Sequence, residues 1–134
     1  MFRNLAVALA FCWVAGGSSV SHAASLAGSE WSPSSQASNT SEKQQFIQFQ
    51  SEGRVSGFAG CNRFFGSYES SGDSLSFGVL GATKMMCPPE AMDQEQTLFE
   101  NLSRVATYQR DQQRLTLIDK DGITILELVQ RDWD

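Results

Sequence analysis

What most constrains this chain is its alternation of apolar and polar residues in short runs, broken once by a stretch of helical spacing. Ile47 and Phe49 share one side of a run, with Gln48 and Gln50 on the other. Val55, Gly57 and Ala59 repeat the pattern, as do Phe64, Gly66 and Tyr68, Leu75 and Phe77, and Leu115 and Leu117. A period of two is the mark of strands with one buried face. Turn chemistry separates the runs at Gly60-Cys61-Asn62, Ser70-Ser71-Gly72-Asp73 and Asp121-Gly122, where glycine and asparagine tolerate positive φ. Ile123 to Val129 carries apolar residues on both faces, as expected of a strand with neighbours on either side. A first strand is expected near Leu26–Trp31, and a short extended piece over Thr83–Cys87.

The exception begins at Pro88-Pro89, where missing N–H groups cost little at a helix start. Glu90, Asp93 and Glu95 then supply negative charge suited to the helix dipole. Met92, Phe99, Leu102 and Val105 recur at helical spacing. This reading leaves Glu95 and Gln96 on the outer side, pairs Glu100 with Arg104 and ends the helix near Val105. Strands, one helix and a final hairpin give an α+β domain. Its sheet is mostly antiparallel, open to curling into a partial barrel, with the helix packed on it.

The N-terminus reads as a secretory leader over residues 1–23. Arg3 precedes an apolar stretch from Leu5 to Val14, and Ser21-His22-Ala23 offers small residues at the cleavage positions. The stretch is too short to span a bilayer, and no later segment comes close, so no transmembrane segment is expected. Lipid attachment at Cys12 is disfavoured by the bulky Phe11 before it. The exported part, residues 24–134, is the size of one domain. Its Ser-rich loop spans about 32–44.

Export fixes the remaining chemistry. The full chain has ten basic and 15 acidic residues, a net charge of −5, and losing Arg3 makes it one unit more negative. An acidic chain repels nucleic-acid phosphates and, by net charge, anionic lipid. It favours a basic protein partner. The one histidine, His22, leaves with the leader, so neither a Ser-His-Asp triad nor a Cys-His pair can form. No S-x-x-K motif occurs, and neither a metal nor a cofactor is expected. Cys61 and Cys87 remain as an even pair bound for an oxidising compartment, where a disulfide is expected. Two buried thiols or a redox pair are the alternatives, the latter poorly suited by the wide spacing. Asn62 and Arg63 could hold a carboxylate or phosphate on the amides of the Gly60 turn; equally, Asn62 could bond its own turn while Arg63 faces water. Lys84 and Met85, with Met86, could contribute an adaptable contact surface. Glu90, Asp93 and Glu95 as a catalytic carboxylate set is weaker than their reading as helix-start charges. Trp31 and Trp133 could close the chain ends against the sheet or mark a recognition surface.

Gly60-Cys61-Asn62-Arg63-Phe64-Phe65-Gly66-Ser67-Tyr68 resembles the META domain, also called the HslJ-like family, with its Gly-Cys-Asn turn and Gly-x-Tyr strand. Thr83-Lys84-Met85-Met86-Cys87 is similar to its Thr-x-Met-x-Cys segment, followed by Glu95, Phe99 and Leu102. Gly28-x-x-Trp31 resembles its opening strand. The chain departs from the pattern in its Ser-rich stretch from Pro33 to Thr40. The resemblance implies a small antiparallel β fold with one helix, a periplasmic or secreted setting and links to heat shock and envelope stress. It brings no catalytic residues. The expectation is a non-enzymatic monomer that binds or stabilises an envelope protein or small ligand. The alternative is an inhibitor of a secreted hydrolase, such as a protease or lysozyme.

Overall fold

A computed structural model describes residues 26–36 and 44–131. The leader, Cys12, most of the Ser-rich loop and Trp133 lie outside the described residues. Nine strands and one helix follow in the order β1 (Ser29–Pro33), β2 (Phe46–Phe49), β3 (Arg54–Phe58), β4 (Arg63–Ser71), β5 (Ser74–Phe77), β6 (Gly81–Ala82), α1 (Pro89–Ser103), β7 (Val105–Asp111), β8 (Arg114–Asp119) and β9 (Thr124–Gln130). Every pairing is antiparallel. β1 joins both β2 and β9, and β3 joins β4, so eight strands close into a barrel. β6 is a short continuation of β5 along the first residues of β4.

The period-two runs line the barrel interior. Trp31, Ile47, Gly57 and Phe64 stand in register across β1 to β4. Gly57 makes this row possible: a Cβ there would lie 2.1 Å from the Phe46 carbonyl oxygen and 2.6 Å from the Phe64 ring. Phe49 meets the edge of Tyr68 with ring centroids 4.9 Å apart, a favourable aromatic geometry. Leu115, Leu117 and Leu128 complete the far wall. The doubly apolar last strand is flanked by β1 and β8, as its composition anticipates.

The barrel closes thinly at one place. β5 and β7 share a single residue pair, Ser74 with Thr107, reinforced by the Tyr108 amide donating to the Asp73 carbonyl. Beyond that pair the two strands part, and α1 packs against β5. It covers the barrel end where β2, β4, β7 and β9 begin, burying Leu98 and Leu102 and setting Phe99 edge-on to Phe64 at 5.7 Å.

Several local readings change. Glu95 belongs to the buried face of α1, not its outer side. Val105 opens β7 rather than closing the helix, because α1 stops at Ser103 and the Arg104 side chain bonds Asn101, not Glu100. Thr83–Cys87 forms no strand; the pairing falls on Gly81–Ala82. Trp31 faces the barrel interior, its indole N–H donating to Ser29 Oγ at 2.7 Å and its ring covered by Arg110.

On the outside of β1, Glu30 is buried beneath Arg131, which it approaches at 3.6 Å and whose guanidinium lies over Phe46. Burial raises the Glu30 pKa above its ordinary 4.5, and Arg131 offsets this only in part. A carboxyl with a raised folded-state pKa favours the fold below its unfolded value and loses that contribution as pH rises through the folded value. Glu30→Gln is therefore expected to raise the melting temperature at pH 7, with the gain vanishing below about pH 4.5. Gly57→Ala is expected to cost about 1–3 kcal/mol in urea denaturation, from overpacking against the Phe46 carbonyl and the Phe64 ring.

Candidate functional site

The Gly60 turn after β3 carries Cys61 and Asn62 into the angle between the barrel and α1. Gly60 has φ 124°, a region open to glycine and strained for other residues. Its missing Cβ also leaves α1 room, since one there would stand 3.3 Å from the Ala91 carbonyl. The turn is closed by the Ala59 amide donating to the Asn62 carbonyl at 2.9 Å.

Asn62 is buried, and its polar atoms are engaged within the chain. Its backbone N–H donates to Glu95 Oε1 at 2.6 Å, and its side-chain Nδ2 to Glu95 Oε2 at 2.8 Å. Its Oδ1 accepts from the Met85 amide at 2.6 Å and from Thr83 Oγ at 3.0 Å. A further Nδ2 contact reaches the Met85 carbonyl at 3.4 Å. One carboxylate thus takes the peptide N–H and a side-chain N–H of one asparagine, and that asparagine holds the segment between β6 and α1. Buried charge is tolerated where hydrogen bonds of this kind satisfy it. Beside it, Cys61 and Cys87 are disulfide-bonded, with Sγ atoms 2.00 Å and Cα atoms 5.9 Å apart. Gln45 adds a second clasp, its Nε2 donating to the carbonyls of Ala59 at 2.7 Å and Gln94 at 3.2 Å.

The anion-holding turn considered from sequence therefore has an anion, and it is Glu95 of the same chain. Arg63, Lys84 and Met85 are brought to the same neighbourhood, but their side chains face solvent. Of the three acids considered together, Glu90 and Asp93 are exposed while Glu95 is occupied by Asn62. Asp93 lines a shallow cleft with Gln45, Gln94 and Leu98, and neither Glu90 nor Glu95 is among its lining residues. Nothing in residue spacing signals Glu95 as a partner of Asn62, because they lie 33 positions apart; only their joint presence in the family pattern links them. Among the described residues no three His, Cys, Asp or Glu side chains gather as a metal ligand set. No helix among them is long and apolar enough to cross a membrane.

A separate cleft of about 600 Å³ opens where β5 and β7 part. It is lined by Ser70, Ser71, Ser74 and Ser76, with Glu69, Leu75, Val105 and Ala106. Its hydroxyls have neither a histidine nor a lysine among the lining residues to activate them.

Comparison with known proteins agrees with this geometry. The sequence model of a family described as META domain matches residues 24–132. A protein from Burkholderia xenovorans, solved by NMR, superposes with a TM-score of 0.63 at 25% identity, covering 81% of this chain and 85% of that one. A second NMR structure gives 0.61 at 25% identity, covering 78% and 90%. A crystal structure of a DUF4847 family protein from Bacteroides vulgatus shares the fold at 0.53 and 18% identity, covering 67% and 61%. No curated protein matches the sequence.

Glu95→Gln keeps the size of the side chain but sets an amide donor against an Asn62 donor. It is expected to cost at least about 2 kcal/mol in chemical denaturation, as a buried donor is left unpaired. Removing the disulfide in Cys61→Ser/Cys87→Ser is expected to cost about 3–4 kcal/mol, read the same way.

Proposed function

The chain belongs to the META domain family, and from that premise we propose that it is an exported, non-enzymatic binding module of the bacterial envelope, acting as a monomer. One observation carries the reading. The family-marking residues Asn62, Thr83 and Glu95 are spent on one another and Cys61 on Cys87, and what they hold in place is an exposed segment bearing Met85 and Met86. A chain that commits its polar motif residues to anchoring a surface segment is built for contact. A disulfide suits an oxidising compartment such as the periplasm. The stress setting rests on the family resemblance.

The contact segment is preorganised, since the disulfide and Asn62 fix it before any partner arrives, and this lowers the ordering cost of binding. Inhibition of a secreted hydrolase would use the same rigidity. It is less favoured because Arg63 and Lys84 flank the segment, so a basic hydrolase would meet like charge there.

A photo-reactive amino acid replacing Met86 is expected to form adducts in envelope preparations, whereas the same probe at exposed Gln96 on α1 forms none. Equal labelling at both positions, or none at Met86, would contradict a contact role for this segment.

A further inference from the structure

The chain carries four methionines, Met1, Met85, Met86 and Met92. Met1 belongs to the expected leader, which leaves three in residues 24–134. Two of these stand side by side in water. Met86 is 96% exposed and Met85 61%, whereas Met92 is half-buried on α1. A thioether is soft and apolar, and one held clear of the fold is open to any small oxidant that reaches the surface. The nearby cysteine sulfurs are closed to the same chemistry. Cys61 and Cys87 are already joined, so neither offers a thiolate.

The backbone under the methionine pair is held by ties that do not involve either sulfur. The Met85 amide donates to Asn62 Oδ1 at 2.6 Å, and the Met85 carbonyl lies 3.4 Å from Asn62 Nδ2. One residue beyond Met86, the chain is fastened by the Cys61–Cys87 bond. Neither methionine belongs to the buried core. Oxidation of a core methionine disrupts packing, because the sulfoxide is polar. Here the same change falls on the surface alone and leaves the ties beneath it in place.

From this we infer that Met86, followed by Met85, is a site of reversible oxidation by hydroperoxides, and that the sulfoxide turns off the contact made by this segment. The inference rests on the contact role proposed above and adds its regulation. In the step, the thioether sulfur takes one oxygen from hydrogen peroxide. An S–O bond forms, the O–O bond breaks and water leaves; the sulfur loses two electrons and the peroxide gains them. A methionine sulfoxide reductase reverses the change, with a dithiol passing to a disulfide and the oxygen leaving as water. The sulfoxide oxygen is a polar acceptor that a partner closing over Met86 must strip of water, and such burial is costly without a matching donor. The thioether carries no such cost.

The test treats the mature, disulfide-bonded protein with hydrogen peroxide, removes the excess with catalase and locates sulfoxides by mass spectrometry. Met86 is expected to oxidise roughly fivefold or more faster than Met92, with Met85 between them. The melting temperature is expected to match that of untreated protein. A photo-reactive amino acid replacing Met85, with Met86 left native, then reads the contact in envelope preparations. Adducts are expected to fall roughly fivefold after oxidation. They should return after treatment with methionine sulfoxide reductases, the disulfide being confirmed intact by mass. With Met86→Leu, which has no sulfur to oxidise, adducts should survive peroxide. Equal oxidation of Met86 and Met92, a lowered melting temperature, adducts unchanged by the sulfoxide, or peroxide-sensitive adducts in Met86→Leu overturns the inference and leaves the contact role standing. Absence of adducts from the untreated protein ends both.

Discussion

The architecture turns on a carboxylate buried against an asparagine. Glu95 reaches from α1 to accept both the peptide and side-chain N–H groups of Asn62, and Asn62 in turn fixes Thr83 and Met85. Three pieces of chain distant in sequence therefore meet at one residue: the turn after β3, the segment after β6 and the helix. Such a node is costly to assemble by halves. Either member alone would leave a buried polar group without a partner, and that penalty exceeds the net worth of an ordinary hydrogen bond.

The node matters because the barrel is thin where β5 meets β7, with one paired position. The helix lies against β5 there and covers the adjacent barrel end, so fixing α1 to the Asn62 turn also secures the seam. The disulfide tethers the chain just before α1 to the same turn. Covalent and polar ties act together on the element that would otherwise be held only by Leu98, Leu102 and Phe99. The exposed segment between β6 and α1 inherits this rigidity, and so the interior chemistry bears on the surface.

Much of the barrel was legible in the sequence. Ile47 and Phe49, Val55 and Gly57, Phe64 and Tyr68, and Leu115 and Leu117 face inward as their alternation indicates, because the pleat forces successive side chains to opposite faces. The Gly72 and Gly122 turns carry positive φ as expected. The turn at Gln112-Gln113 could not be foreseen: Gln112 takes φ 54° without the usual turn residues, forced by the register of β7 on β8. That the sheet could curl into a partial barrel was legible, but which strands close it was not, since the β1–β9 pairing joins segments far apart in the chain. The cysteine pair could be read from its count and compartment. Glu95 was misplaced because a charged residue on a helix ordinarily faces water, and only a partner from elsewhere in the fold reverses that preference.

Function follows from how the polar residues are used. Most of the family's marked side chains are directed inward and satisfied, and what they leave exposed beside them is the segment bearing Met85 and Met86. The measurement that bears most directly on this account is a double-mutant cycle on Asn62→Ala and Glu95→Ala by chemical denaturation. If the two residues form one unit, the double variant is little worse than either single one, with a coupling energy of about 2 kcal/mol or more. Additivity within about 0.5 kcal/mol would mean that the two act independently, and the node would not be what holds the helix to the barrel.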